Sequence, residues 1–247
     1  MTDRATEGLD DREQQRRAFL ATTGFGAAGR AKMSGDASTR SYERLTLPSG
    51  ATRILMDAPP AAESEPAGPD TSEDQRRAMG YNALARLAAG RVDAFAAAAA
   101  FLRARGLSAP QVEALDVTRG FAVIEDLGDD LFARKIADGE PAPPLYADAV
   151  DVLVRLQSEA PPVWLDWTCG KDGGRWPLLP YDDLALQTGC NLFLEWWPKY
   201  AGLPAFSADA QAEWTALWAP VRAAGHQAAT GPDGVFAHRD YHAENLL

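Results

Sequence analysis

The sequence predicts an α+β fold with a strand-rich front and a helix-rich rear. Three observations predict it. Short β-prone runs divided by turn residues fill residues 30 to 57 and 112 to 124. Helical periodicity dominates after residue 128. The chain has 247 residues, 46 % hydrophobic and 24 % charged, enough for one large domain or two lobes sharing a cleft.

Taken in order, Asp10 and Asp11 can cap a helix that runs through Arg16, Arg17 and Phe19 and stops at Gly24. Strands are expected over residues 30–33, 39–47 and 51–57, where side chains alternate around Tyr42, Arg44 and Ile54. Residues 34–38 turn the first pair, and Pro48, Ser49 and Gly50 turn the second. Residues 58–70, rich in Ala, Pro, Glu and Gly, read as a flexible surface insertion. Helices follow over 72–89, closed by Gly90, and over 92–105, stopped by Gly106. A second hairpin, 112–118 with 121–124, turns at Arg119 and Gly120, and residues 125–128 leave it as a loop. Beyond it, residues 146–157 place Tyr146, Val150, Leu153, Val154 and Gln157 on one side of a helix, and 184–197 and 208–224 are further helices. No internal repeat is present in the sequence.

The net charge of −11 repels phosphate backbones and anionic lipid, so neither nucleic acid nor a membrane surface is an expected partner. An anionic small molecule would need local cations, backbone N–H groups or a divalent metal. Cys169 and Cys190 lack a CxxC partner and read as free thiols. The polar N-terminus lacks an apolar signal core, and the Ala-rich run at 94–102 is too short to span a bilayer. The expected location is cytoplasmic.

The strongest chemical signal lies at residues 238–245. His238-Arg239-Asp240-Tyr241-His242-Ala243-Glu244-Asn245 fits H-R-D-x-x-x-x-N. In kinase chemistry that Asp handles the proton of the attacking hydroxyl and that Asn holds Mg²⁺. Both oxygens must project from one loop into a cleft. Asp240 is therefore the candidate catalytic residue and Asn245 the candidate metal ligand. Val235, Phe236 and Ala237 form an apolar lead-in that could pin the loop. Arg239 reads as a positioning group. His226 and His242 could serve as acid/base groups, although such histidines are more often simply hydrogen-bonded polar residues. All seven tryptophans fall between Trp164 and Trp218. Trp196 and Trp197 could stack on a sugar, but helical-core packing is the more ordinary role.

Four blocks, in this order, carry a family resemblance: residues 35–42 (Gly35-Asp36-Ala37-Ser38-Thr39-Arg40-Ser41-Tyr42), 55–60 (Leu55-Met56-Asp57-Ala58-Pro59-Pro60), 124–128 (Ile124-Glu125-Asp126-Leu127-Gly128) and 238–246. The order resembles the aminoglycoside-phosphotransferase/choline-kinase superfamily, and within it the bacterial N-acetylmuramate/N-acetylglucosamine anomeric kinases. The resemblance implies a bilobal protein-kinase-like fold: a small β-rich N-lobe over 1–127, with an insertion at 58–80, and a larger helical C-lobe over 128–247. It implies ATP and Mg²⁺ as cofactors and phosphorylation of an amino sugar's anomeric hydroxyl in cell-wall recycling. A kinase of an aminoglycoside, choline or homoserine hydroxyl is the alternative acceptor reading. An inactive nucleotide-binding pseudokinase fragment is the other.

In this frame Gly35 and Ser38 belong to a phosphate-covering turn, although by residues alone an ordinary hairpin loop is the favoured reading. Glu125 and Leu127 lie in a hinge whose backbone would hold adenine. The third strand, Arg53-Ile54-Leu55-Met56-Asp57, lacks the V-A-I-K lysine of protein kinases. Arg40 is the candidate replacement cation, with Lys32 behind it. The superfamily also places a second Mg²⁺-binding Asp on a strand after the catalytic loop, and no residue follows Leu247. The expectation is therefore a truncated C-lobe, an incomplete record of a longer enzyme.

Overall fold

The computed structural model describes residues 3–34, 39–60, 64–229 and 234–247, with side chains from residue 11 and, in the last helix, as far as residue 225. Helix α1 (Asp3–Thr22) leads into strands β1 (Gly29–Lys32), β2 (Ser41–Thr46) and β3 (Thr52–Asp57). Helices α2 (Glu73–Met79), α3 (Tyr81–Leu84) and α4 (Val92–Ala104) follow, then strands β4 (Val112–Asp116) and β5 (Phe121–Glu125). Helices α5 (Phe132–Ala137) and α6 (Ala142–Leu156) come next, then strands β6 (Trp164–Cys169) and β7 (Asp172–Pro177) and helices α7 (Asp183–Ala201) and α8 (Ala208–Ala229). The architecture is α+β, an antiparallel sheet in front and a mostly helical part behind, as expected.

The front sheet has the order β1-β2-β3-β5-β4 and every pairing is antiparallel. Directly opposed residues share a face, so register sorts the side chains into two sets. Leu45, Leu55 and Val123 share one face with Phe121 and meet Phe19 and Leu20 of α1. Tyr42, Ile54, Met56, Ala122 and Ile124 take the other, against Val92 and Phe95 of α4. Gly120 turns β4 into β5 with φ near +72°, and a Cβ there would lie 2.0 Å from the Ala58 carbonyl oxygen. Glycine alone fits that close approach.

An ion network fixes α1 across the sheet. Asp57, buried at the end of β3, accepts from both Arg12 and Arg16 of α1. Arg30 of β1 spans Glu13 at 2.7 Å and Glu43 of β2 at 2.6 Å. The Arg12 guanidinium also lies 3.9 Å from the centre of the Phe121 ring. Arg30, with Arg17 and Arg16 adding to it, holds the Glu13 carboxyl down to about 2 against a usual 4.5.

The structure departs from expectation at several places. The helix expected over 72–89 is broken, because Gly80 adopts φ near +103° and ends α2. Residues expected to form a loose insertion contribute Ala58 and Ala67 to the buried set, and Ser64 bonds Asn82. Helix α6 starts at Ala142, since prolines are tolerated in a first turn, and it buries Leu145, Ala149 and Leu156. Tyr146, Val150 and Val154, on the side expected to be internal, are exposed. The β6–β7 hairpin, its Leu165 and Trp167 packed beneath α4, was not expected in a helical rear. Trp196 and Trp197, expected in a helical core, are 58 % and 43 % exposed. Among the described residues no helix is long and apolar enough to cross a membrane.

The network gives a pH prediction. Because the folded-state value of Glu13 is depressed, its contribution is complete above about pH 4.5 and is lost as pH falls toward about 2. Glu13→Gln should therefore lower the thermal midpoint at pH 6, with the gap to wild type closing between pH 4.5 and 2. A gap that stays constant with pH would contradict it.

Candidate active site

Residues 238–247 fold back as a compact turn whose Tyr241, Ala243 and Leu246 turn inward, while most of its polar members face out. Phe236 is buried and stacks on Phe101 of α4, ring centres 5.1 Å apart. Gln157, just past α6, donates to the Phe236 carbonyl at 3.4 Å. The Tyr241 hydroxyl donates to the Ala149 carbonyl of α6 at 2.7 Å. The carbonyls of Leu246 and Ala243 accept from the backbone amides of Phe132 and Ala133, at 2.8 and 2.9 Å. Those amides open α5 and have no intrahelical acceptor, so the turn supplies one. Tyr241, Ala243 and Leu246 pack against Phe132, Leu145 and Ala149.

This anchoring projects the two candidate side chains together. Asn245 Nδ2 donates to Asp240 Oδ2 at 2.8 Å and to the Asp240 carbonyl at 3.0 Å. His242 Nε2 lies 3.3 Å from Asp240 Oδ1 and 3.2 Å from Asn245 Nδ2. The Asp240 side chain remains 75 % exposed, so its carboxylate is open to a ligand. With Nδ2 turned to Asp240, the Asn245 amide oxygen is the atom left to face a cation. Carboxylate and amide oxygens are the hard donors magnesium takes, so the pair fits that ion. Among the described residues no group of three or more His, Cys, Asp or Glu could hold a metal by itself. Such a set suits an ion delivered with a phosphate-bearing ligand, because Mg²⁺ is commonly held by one or two side-chain oxygens plus substrate phosphates.

Other candidates are placed as follows. Gly35 and Ser38 lie outside the described residues, as does the side chain of His226. Arg40 immediately precedes β2, and strand alternation puts it on the face of Tyr42 and Arg44. Lys32 lies opposite Glu43 in the strand register, which puts it on the α1 face of the sheet, the other face from Arg40. Glu125 accepts from the Gln111 amide at 3.0 Å and from Arg103 at 3.3 Å. Leu127 is exposed at the same crossing. Between them, Asp126 takes Arg44 at 2.7 Å and the Gly128 amide at 3.0 Å. Burial pushes the Asp126 carboxyl up, but the Gly128 amide and Arg44 outweigh it and hold it below its usual value. Desolvation pushes the His238 imidazole pKa down despite the nearby Asp240.

A family model for the phosphotransferase enzyme family, APH, matches residues 31–247. The chain belongs to this family. It is 52 % identical over 237 residues to an N-acetylmuramate/N-acetylglucosamine kinase of Caulobacter vibrioides, covering 96 % of this chain and 62 % of that protein. Proteins of the same name from Pseudomonas putida and Pseudomonas aeruginosa are 29 % and 26 % identical, each over 87 % of this chain and 50 % of the relative. The chain thus spans between 50 % and 62 % of the length of these phosphotransferase relatives.

Tyr241 occupies an unspecified position of the H-R-D-x-x-x-x-N pattern and Gln157 and the α5 amides lie outside it, so spacing gives no sign that they hold the turn. Tyr241→Phe should lower stability by about 1 kcal/mol, the usual net worth of one hydrogen bond. Urea unfolding measures this; an unchanged midpoint would show that the α6 anchor contributes nothing.

Proposed function

We propose that the protein transfers the γ-phosphoryl group of ATP to the anomeric hydroxyl of N-acetylmuramate or N-acetylglucosamine. The observation that carries this reading is the Asp240–Asn245 contact on one exposed, well-anchored turn. Membership of the phosphotransferase enzyme family and the names of its relatives support the class of donor and acceptor.

In this reading the chain divides at residues 127 and 128 into a nucleotide-binding lobe and a helical lobe. Asp240 orients the sugar hydroxyl and takes its proton as the oxygen attacks phosphorus. Its proximity to His242 and Asn245 keeps the carboxylate in one orientation. Asn245 directs its amide oxygen toward magnesium. That ion, when bound, offsets charge on the transferring phosphoryl group. The backbone at Glu125 and Leu127 receives adenine. Both flanking carboxylates, Glu125 and Asp126, are already engaged by Arg103, Gln111 and Arg44, which favours recognition through main-chain groups. Arg40, on the same sheet face as Tyr42, is the candidate cation for the phosphates, with Gly35 and Ser38 covering them.

Asp240→Asn in the full-length protein should cut turnover by about 10²- to 10⁴-fold, the range for a lost general base, with the fold retained. ³¹P NMR of reactions with ATP, magnesium and an acceptor panel reads both rate and product. A sugar 1-phosphate is expected. Undiminished turnover by the variant, or transfer only to an aminoglycoside or choline hydroxyl, would overturn the proposal.

A further inference from the structure

We propose that Asp182 is a positioning residue for the turn that carries Asp240, acting through Arg86 and Arg239. The proposal rests on the kinase reading above for its kinetic consequence, and on geometry for its structural one.

Asp182 is the N-cap of α7, and its Oδ1 accepts from the Ala185 amide at 2.9 Å. The same carboxylate binds Arg76 in a fork, at 2.6 and 3.0 Å, and accepts from Arg86 Nε at 3.4 Å. The Arg76 side chain is 2 % exposed, and its remaining donors close the end of α3 by bonding the Ala83 and Leu84 carbonyls. Arg86 follows directly, its side chain nearly buried, and also donates to the Gly68 carbonyl at 3.2 Å. Three chain segments therefore converge on one carboxylate. Burial pushes Asp182 up, but Arg76, the Ala185 amide and Arg86 outweigh this and keep it ionised.

The assembly reaches the catalytic turn at one point. The Arg86 carbonyl accepts from Arg239 Nη1 at 3.0 Å. The Arg239 guanidinium stacks 4.0 Å above the ring of Tyr181, the residue before Asp182. Arg86 and Arg239 both hold left-handed backbone, φ near +55° and +71°, although neither is glycine. Such conformations persist only where surrounding contacts enforce them. Asp182 supplies that enforcement: it holds the Arg86 side chain, and the Arg86 backbone carbonyl then holds Arg239, the residue adjoining Asp240. None of these groups takes part in the chemistry, so the role is one of placement. A slightly misplaced catalytic group is enough to slow a reaction whose reactants still bind.

The test uses Asp182→Asn and Asp182→Ser in the full-length protein. Both residues are good N-caps, so the start of α7 is retained while the charge facing Arg76 and Arg86 is lost. Hydrogen exchange of the peptide covering residues 235–247 should quicken about tenfold, with the front sheet unchanged. Turnover should fall about tenfold while KM for ATP moves less than about twofold. In an Arg239→Gln background the further loss from Asp182→Asn should shrink below about twofold, because both changes cut one route. Additive losses, unchanged exchange in 235–247, or equal loosening of turn and sheet would each overturn the proposal. If the unsubstituted protein phosphorylates no acceptor, the kinase reading fails, and the exchange comparison still decides this one.

Discussion

A functional turn must expose its reactive side chains and still hold them to within a fraction of an ångström. Here the Asp240–Asn245 hydrogen bond meets the second demand only because the rest of the turn is fixed to internal groups. Phe236 is locked in an aromatic stack, Tyr241 reaches the backbone of α6, and two carbonyls of the turn satisfy amides that open α5. Each anchor serves two elements at once. The open amides of α5 gain acceptors, and the turn gains a fixed direction. Exposure of the carboxylate and rigidity of its backbone are thus compatible.

The front sheet is held by a different means. Both of its faces carry an apolar core, and on the face toward α1 Arg12, Arg16 and Arg30 also meet Glu13, Glu43 and Asp57. A buried carboxylate such as Asp57 is tolerated because two guanidinium groups meet it. A similar arrangement recurs at Asp126 with Arg44 and at Asp182 with Arg76 and Arg86. The chain carries a net charge of −11, yet several of its arginines lie where separate elements are joined. Arginine suits that task because its planar fork engages a carboxylate at two points.

Strands and the turn at residues 238–245 were legible because their signals are local. Tyr42, Ile54 and Met56 alternate, Arg119 and Gly120 mark a hairpin, and Asp240 and Asn245 stand at a fixed interval. Helix α6 was legible as a helix but its buried side was misjudged: Leu145 and Ala149 face inward, while the larger Tyr146 and Val150 do not. Size does not reveal which apolar stripe finds a partner. The β6–β7 strands were missed because Gly173 and Gly174 and three tryptophans give little β periodicity, and α4 supplies the burial that stabilises them. Asp182 was findable, since an Asp before an apolar helical run is an N-cap signal. Its link to Arg239, through a carbonyl nearly a hundred residues away in sequence, was not.

The claim on which the account turns is that Asn245 and Asp240 meet the metal–nucleotide together. Manganese can replace magnesium in the presence of ATP, and NMR then reads paramagnetic broadening at named protons. The account predicts that the Asn245 side-chain amide and the Asp240 backbone amide broaden first, while the amides of α1, which packs on the sheet face opposite Tyr42 and Arg40, stay sharp. Sharp Asn245 signals at a manganese level that broadens other parts of the protein would contradict it.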